Sequence, residues 1–239
     1  MKPNTSRLHI VPPDDLAVSS MLDVQRGGLE AHFARLQHDA MALKFGRGET
    51  IAAAGDKAVH IYVLSTGCLR LSHHASDGRR HIAKFLFAGD TAGLSDAGEF
   101  ALSTEAVTPV TLTAYSRAVF DRLGEGNDRL RADILAHLSA AIRVADRQLF
   151  ELSCLDARER VAAFLLRMME QPQLVYGNRL DLPMSRQDIA DHLGLSIKSI
   201  CRVLASLRAD GVIEAPNARV VVVRNFAALR SIADNSPRP

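Results

Sequence analysis

The chain has 239 residues, 47% of them hydrophobic and 23% charged, and a formal net charge of +2. These values are ordinary for a globular protein of one or two domains that buries a hydrophobic core. The sequence has no apolar run of about 18 residues, as a transmembrane helix requires, and no signal-peptide stretch at its N-terminus. We therefore expect a cytoplasmic protein without a membrane span. Cys68, Cys154 and Cys201 are too far apart for a disulfide framework, a zinc site or an iron–sulfur cluster.

Residues 1–28 are predicted to form an N-terminal arm that ends at the Gly27-Gly28 pair. After the arm, glycines at positions 55, 67, 78 and 89 separate short apolar runs such as 60–64 and 82–87. Short strands at such even spacing are typical of a β-sandwich or barrel rather than of a parallel sheet with crossover helices. The run 107–115 is the last predicted strand, and we assign residues 29–122 to a β-roll domain.

The hydrophobic period then changes from that of strands to that of a helix. Six apolar residues follow one another at alternating steps of three and four positions, which is a coiled-coil seam: Leu135, Leu138, Ile142, Ala145, Leu149 and Leu152. This helix could pack on its own barrel, or it could pair with its twin across a two-fold axis. A strict seam is narrower than the apolar stripe of most globular helices, which favours the second interpretation. Residues 123–153 are therefore predicted to be a dimerisation helix.

Residues 154–239 show the start and stop signals of several helices. Asp156 is a predicted N-cap for a helix over 155–171, which Pro172 ends. Ser185 is a second N-cap, and Asp188 three residues later completes a capping box. This next helix has an apolar side formed by Ile189, Ala190 and Leu193.

A tight turn and a third capped helix come next. Gly194 suits the positive φ of the turn, and Ser196 caps the following helix. The buried side of that helix is predicted from its spacing: Ile200, Val203, Leu204 and Leu207. The opposite side carries Lys198, Ser199, Arg202 and Ser206, with Cys201 at its edge. Gly211 ends the helix, and the runs 212–214 and 220–223 predict a β-hairpin.

Two helices around a tight turn, followed by a hairpin, predict a winged helix-turn-helix. In such a motif the second helix enters the major groove of DNA by its N-terminal end, where arginine can pair with guanine. From Cys154 onward the chain has 12 Lys and Arg against 9 Asp and Glu. This mild excess allows a nucleic-acid partner without requiring one, so the prediction of double-stranded DNA as partner depends on the caps, the apolar spacing and the hairpin.

With these elements in place, the sequence resembles the CRP/FNR superfamily of bacterial transcription regulators over nearly its whole length. The segments SDGRRHIAKFLFAGDTAGL (76–94) and MSRQDIADHLGLSIKSICRVL (184–204) are most similar to the FixK-type and FNR-type branch. The resemblance implies an α+β fold with a cyclic-nucleotide-binding-like β-roll (jelly roll), a long dimerisation helix and a C-terminal winged helix-turn-helix. It also implies a homodimeric, cytoplasmic, non-enzymatic regulator or activator that binds a palindromic promoter site and RNA polymerase. Its genes would serve low-oxygen, redox or nitrogen-related metabolism.

The resemblance also assigns roles to residues of the helix-turn-helix. Arg202 would contact guanine, Ser199 would support base or phosphate contacts, and Arg186 and Gln187 would hold phosphates. The complete predicted DNA-binding set is Arg186, Gln187, Ser196, Lys198, Ser199 and Arg202.

Three departures from the family pattern change these expectations. Lys198 stands where the family usually has glutamate. Lysine cannot accept a hydrogen bond from cytosine N4, so the preferred base at one position of the expected TTGA-type half-site is not predicted. Lys198 could instead bind a phosphate or a guanine. Cys201 replaces a usual serine. The N-terminal cysteine cluster of FNR-type proteins does not occur, which argues against an oxygen-sensing iron–sulfur cluster.

We expect no cofactor in the β-roll. Thr91 and Leu102 stand near the positions at which the cAMP-binding branch has its ribose-binding glutamate and phosphate-binding arginine, so a cyclic nucleotide would lack its charge partner. Haem is considered because histidines cluster with Cys68 in the predicted strands: His60, His73, His74 and His81. His73 and His74 flank a hairpin turn, however, and are expected to face solvent. A β-roll sensor whose bound ligand, haem or another small molecule, switches DNA binding remains the alternative.

Cys201 has two interpretations. It is either an inert replacement for serine or a redox-sensitive thiol. A helix N-terminus with Lys198 and Arg202 nearby favours thiolate, and oxidation to sulfinate would place negative charge against DNA phosphate.

Two other function classes remain in view. One is a small-molecule-binding module whose helical tail makes protein contacts, but the caps and the hairpin would then have no role. The other is a cupin-like metalloenzyme, but the strands lack a His-x-His pair followed by a carboxylate and a further histidine. We therefore predict neither catalytic nor metal-binding residues.

Overall fold

The structure is a computed structural model of the chain, and it describes residues 9–11, 28–95 and 98–234. The chain divides into two compact units. Of the described residues, the first unit contains those up to His73 and those of Ala83–Ile142, and the second contains His74–Ile82 and those from Arg143 onward. The predicted arm lies outside the described residues except for Gly28 and the short strand β1 (His9–Val11), which pairs with β2.

The first unit is built on two antiparallel sheets, as the glycine spacing predicted. The other elements of these sheets and the helices packed with them are α1 (Leu29–Arg35), β2 (Ala40–Phe45), β3 (Thr50–Ala52), β4 (His60–Thr66), β5 (Leu69–His74), β6 (Arg80–Leu86), β7 (Thr91–Ala92), β8 (Ser103–Ala106), β9 (Val110–Ser116) and α2 (Arg117–Gly124). The last residue of β5 and the first three of β6 belong to the segment His74–Ile82 of the second unit. One sheet has the strand order β1-β2-β9-β4-β7, and the other has the order β3-β8-β5-β6. The prediction of a β-roll is confirmed.

A hydrophobic core lies between the two sheets of this unit. It combines residues of both, such as Leu43, Leu64 and Leu112 from the first sheet and Leu69 and Leu86 from the second. The β4–β5 turn is tight because Gly67 has φ 93° and a Cβ there would lie 2.4 Å from the carbonyl oxygen of Pro109. Only glycine fits this approach.

A second cluster joins the helices to the first sheet. Phe33 of α1 packs near Tyr115 and Phe120, with ring centroids 4.8 and 5.2 Å apart. Leu130, at the start of the long helix α3 (Asp128–Cys154), is fully buried in the same cluster. The predicted long helix is therefore present, preceded by the separate short helix α2, which the sequence analysis did not predict.

The second unit contains the predicted winged helix-turn-helix. Its elements after α3 are α4 (Ala157–Met169), β10 (Val175–Tyr176), β11 (Arg179–Asp181), α5 (Arg186–Leu193), α6 (Ile197–Ala209), β12 (Ile213–Glu214), β13 (Val220–Val223) and α7 (Phe226–Ala233). The hairpin β12–β13 belongs to a four-stranded sheet of order β10-β11-β13-β12. None of the helices in the described part of the chain is long and apolar enough to cross a membrane.

Candidate nucleic-acid interface

The start of α5 is fixed by the capping box that the sequence predicted. Ser185 Oγ accepts a hydrogen bond from the backbone N–H of Asp188 at 3.1 Å, and Asp188 Oδ2 accepts one from the N–H of Ser185 at 2.9 Å. These two bonds satisfy backbone donors that the helix itself leaves open. Arg186 and Gln187 therefore occupy the first turn of α5, where helix N–H groups attract phosphate.

The turn between α5 and α6 is as tight as predicted. Gly194 is the C-cap of α5 and has φ 63° and ψ 34°, the left-handed conformation that favours glycine. A Cβ at this position would lie 3.5 Å from Leu152 Cδ2, so the turn also packs closely on the end of α3. Ser196 then caps α6, with its Oγ 3.0 Å from the backbone nitrogen of Ser199.

The two sides of α6 separate as the spacing predicted. Ile200, Val203, Leu204 and Leu207 are all buried. Lys198, Cys201 and Arg202 are exposed near the N-terminal end of the helix. This end therefore presents two cations and a thiol.

Ser199 and Gln187, the smaller polar residues of the predicted DNA-binding set, have hydrogen-bond partners within the protein. Ser199 is half-buried, and its Oγ shares a 2.9 Å hydrogen bond with Ser196 Oγ. Gln187 is exposed, but its Nε2 donates to Asp191 Oδ1 at 2.6 Å. Arg186 is half-buried: burial lowers the pKa of its guanidinium, and the Coulombic interaction with Cys201 acts in the opposite direction. Among these residues, the interaction between Arg186 and Cys201 is the one that relates the start of α5 to α6.

The prediction that Ser206 lies on the open side of α6 is wrong. Ser206 is half-buried, and its Oγ accepts a hydrogen bond from Arg158 Nη1 at 2.6 Å, while Arg158 Nη2 lies 2.5 Å from Asp210 Oδ2. Arg158 belongs to α4, so it holds the C-terminal half of α6 from the protein side. The sequence carries no local signal for this contact.

A second arginine of α4 holds the turn region. Arg160 donates to the carbonyl oxygens of Leu152 at 2.8 Å, Leu155 at 2.8 Å and Leu193 at 3.2 Å. One guanidinium thus connects the end of α3 with the end of α5. Neither Arg158 nor Arg160 was singled out from the sequence, because a basic residue on a helix usually indicates a solvated face.

The wing, which is the β12–β13 hairpin, is held at its turn by side-chain contacts. Asn217 Oδ1 accepts hydrogen bonds from the backbone N–H groups of Arg219 at 2.8 Å and Val220 at 2.9 Å, and the Arg219 guanidinium donates to the carbonyl oxygen of Pro183. The wing sheet is larger than the predicted hairpin because β11 pairs with β13.

Much of the apolar seam of α3 is open to solvent in the single chain. Leu135, Ile142 and Leu149 are 66%, 62% and 67% exposed. Ala145 is also exposed, whereas Leu138 and Leu152 are half-buried. A monomeric protein does not ordinarily leave a contiguous row of large apolar side chains uncovered.

Thr91 and Leu102 are the β-roll residues near the positions of the ribose-binding glutamate and the phosphate-binding arginine of the cAMP-binding branch. Thr91 Oγ1 is buried without a hydrogen-bond partner, Leu102 is half-buried, and the neighbouring carboxylate of Asp90 accepts the backbone N–H of Phe87 at 2.8 Å. His73 and His74 are exposed, as expected. Within the described residues, no three His, Cys, Asp or Glu side chains come together in a way that could hold a metal ion.

Comparisons with known proteins agree with this geometry. A model of the Crp-like helix-turn-helix domain matches residues 159–232, and a model of the cyclic nucleotide-binding domain matches residues 42–127. The nitrogen fixation regulation protein FixK of Rhizobium meliloti is 34% identical over 187 residues, which cover 78% of this chain and 84% of that protein. The transcriptional activatory protein AadR of Rhodopseudomonas palustris is 30% identical, covering 80% and 81% of the two chains.

A solved structure, that of FixK2 from Bradyrhizobium japonicum, superposes with a TM-score of 0.77 at 30% identity. The match covers 81% of this chain and 96% of that chain. A CooA mutant from Carboxydothermus hydrogenoformans superposes with a TM-score of 0.71 at 16% identity, covering 87% and 96% of the two chains, which is evidence for the fold alone.

Proposed function

Because the chain belongs to the FixK-type branch of the CRP/FNR superfamily and is therefore a DNA-binding transcription regulator, we propose that it reads a palindromic promoter site with the N-terminal end of α6. The observation that carries this proposal is the exposure of Lys198 and Arg202 at the one end of α6 that a helix-turn-helix inserts into the major groove. Arg202 pairs with guanine O6 and N7.

The other predicted residues act around this contact. Arg186 and Gln187 bind phosphate from the first turn of α5, and the Ser196–Ser199 pair orients the start of α6 and offers hydroxyls to the backbone of DNA. Lys198 binds a phosphate or a guanine, so the base preference at its position differs from that of relatives with glutamate. These contacts fix the register of the protein on its site.

We propose that the dimer forms along α3. Two copies of the exposed seam are self-complementary, as a two-fold interface requires. Half-sites bound by such a dimer lie about one helical turn of DNA apart. The dimer then acts at promoters in the cytoplasm, together with RNA polymerase.

The relatives suggest the kind of genes involved. FixK is named for nitrogen fixation regulation, and AadR is named as an activatory protein. By this similarity, we assign the chain to the control of genes for low-oxygen, redox or nitrogen-related metabolism, with activation as the mode. This similarity to regulators also favours a function without catalysis.

We further propose that the β-roll works without a cyclic nucleotide or haem. The segment from Ala101 to Thr104 contains no arginine, so a cyclic phosphate would lack the cation that its burial requires. The carboxylate of Asp90 is occupied in its own turn. A second candidate function, a small-molecule sensor, is favoured by one observation: the buried Thr91 Oγ1 is a polar atom without a hydrogen-bond partner.

In-vitro selection of DNA sites from a random pool tests the proposal. We expect a palindromic consensus, and Arg202→Ala should bind it about 1–3 kcal/mol more weakly and lose preference at one base pair per half-site. If Arg202→Ala bound the selected site as tightly as the wild type, Arg202 would not be the base contact. If no sequence were enriched, sequence-specific binding itself would be refuted.

A further inference from the structure

The segment His74–Ile82 belongs to the same compact unit as the helix-turn-helix, although it lies within the range that matches the cyclic nucleotide-binding domain. Its last three residues contact α5 one after another. Arg80 binds two carboxylates of α5, His81 Nδ1 lies 3.1 Å from the carbonyl oxygen of Asp191, and the carbonyl oxygen of Ile82 accepts a hydrogen bond from His192 Nδ1 at 2.8 Å. The helix-turn-helix is therefore supported by residues far outside its own sequence range.

Arg80 makes the strongest of these contacts. Its Nη2 lies 2.7 Å from both Asp188 Oδ1 and Asp191 Oδ2, and its Nε donates to Asp191 Oδ2 at 2.8 Å. The side chains of Arg80, Asp188 and Asp191 are only 19%, 6% and 14% exposed. Charge-assisted hydrogen bonds of this kind, shielded from water, are stronger and more directional than surface ion pairs.

Both carboxylates also hold the part of α5 that faces DNA in the proposed complex. Asp188 uses Oδ2 for the capping box with Ser185 and leaves Oδ1 for Arg80. Asp191 uses Oδ1 to accept from Gln187 Nε2 and leaves Oδ2 for Arg80. One guanidinium thus fixes the start of the helix and the carboxylate that orients Gln187. Its single positive charge also offsets part of the negative charge of the two carboxylates, which would otherwise repel phosphate more strongly.

We propose that Arg80 is a positioning residue for DNA binding, which holds α5 in the orientation that the helix-turn-helix needs without touching DNA itself. This proposal rests on the assignment of α5 and α6 to the DNA interface. Without Arg80, the carboxylates of Asp188 and Asp191 lose the guanidinium that both of them contact, and α5 loses a contact that fixes its first turn.

The adjacent residue provides a matched control. Arg79 has a side chain that is 84% exposed and pairs with Asp77 at 2.7 Å. Arg79→Ala and Arg80→Ala remove the same charge from neighbouring positions, but only Arg80→Ala removes the contact with α5. Affinity for the selected site should be measured by fluorescence anisotropy over a range of salt concentrations, with thermal unfolding of each variant recorded alongside.

We expect Arg80→Ala to weaken binding on the order of 10-fold, Arg79→Ala to stay within about two-fold of the wild type, and neither to change the slope of log Kd against log salt. Equal losses in both variants, or no loss in either, would overturn the proposal. So would a slope reduced by about 0.9 in Arg80→Ala alone, because that change indicates a direct phosphate contact.

If Arg80→Ala did not fold, the pair Arg80→Lys and Arg79→Lys would carry the test. Lysine keeps the charge but lacks the planar fork that reaches two carboxylates, so Arg80→Lys should bind several-fold more weakly than Arg79→Lys. Equal affinity of these two variants would contradict the proposal. Arg202→Ala, measured in the same series, distinguishes the proposed DNA contact of α6 from the proposed role of Arg80. Unchanged binding by Arg202→Ala refutes the DNA contact, independently of the result for the Arg80 variants.

Discussion

The substitution Ile142→Glu should separate the dimer into folded monomers. Ile142 is 62% exposed in the single chain and lies at the middle of the seam, between Leu135 and Leu149. Full burial of an isoleucine side chain contributes about 1.5–3 kcal/mol. Because roughly two thirds of Ile142 is exposed in the single chain, its burial on dimerisation contributes about 1–2 kcal/mol per protomer. A two-fold interface contains the residue twice, which gives about 2–4 kcal/mol for the dimer.

This energy corresponds to a dimer Kd raised on the order of 30- to 700-fold, before any repulsion between the two new carboxylates is added. Sedimentation velocity over a series of protein concentrations measures the change directly. The monomer should keep its circular dichroism spectrum, since the position is solvent-exposed in the single chain. Binding to a palindromic site should fall towards the affinity for a half-site.

Val144 provides the control because it lies on the same helix, is 55% exposed and is not part of the seam. Val144→Glu introduces the same charge on the other side of α3 and should leave the dimer intact. Equal dissociation of both variants, or an Ile142→Glu variant as dimeric as the wild type, would refute the assignment of the seam to the dimer interface. In the second case the seam would serve another contact.

Three further predictions concern the DNA-binding unit. Lys198→Glu restores an acceptor for cytosine N4, so in-vitro selection should then enrich a different base pair at one position per half-site; an unchanged consensus would show that Lys198 does not contact that base. Peroxide should weaken DNA binding of the wild type and spare Cys201→Ser, and equal loss in both would identify Cys201 as inert. Burial lowers the pKa of His192 from 6.5 to about 4, so the folded protein holds the neutral imidazole. The resulting contribution to the free energy of unfolding, roughly 3 kcal/mol, is fully present above pH 6.5 and is lost as the pH falls towards 4. Urea unfolding should show a smaller difference between pH 7.5 and 4.5 in His192→Gln than in the wild type; an equal difference would mean that other groups cause the acid sensitivity.

The elements that the sequence predicts well are those whose signals are local. The predicted N-cap at Asp156 and the predicted capping box at Ser185 involve residues at most three positions apart, and the structure forms both. Gly194 adopts the left-handed conformation for a reason that depends only on its own backbone. Period and capping therefore predict α4, α5 and α6 closely.

The features that the sequence does not reveal depend on distant partners. β10 and β11 have two and three residues, too few for any period, and they exist because β13 offers a free edge. Ser206 has the spacing of an exposed residue, but Arg158, on another helix, covers it. The contact of Arg80 with α5 joins residues more than a hundred positions apart, so no local pattern could indicate it.

The net charge of the C-terminal part does not measure how many of its cations are available to DNA. Its small excess of basic residues includes arginines such as Arg158, Arg167 and Arg224, which are paired with carboxylates within this unit. Such side chains would have to break an ion pair before they could bind phosphate, so net charge is a poor measure of the surface that DNA meets. What matters is which cations lie exposed at the N-terminal end of α6, which we propose faces the groove. There Lys198 and Arg202 are four positions apart, about one turn of the helix, and we expect a single substitution at either to change the bases that the protein prefers.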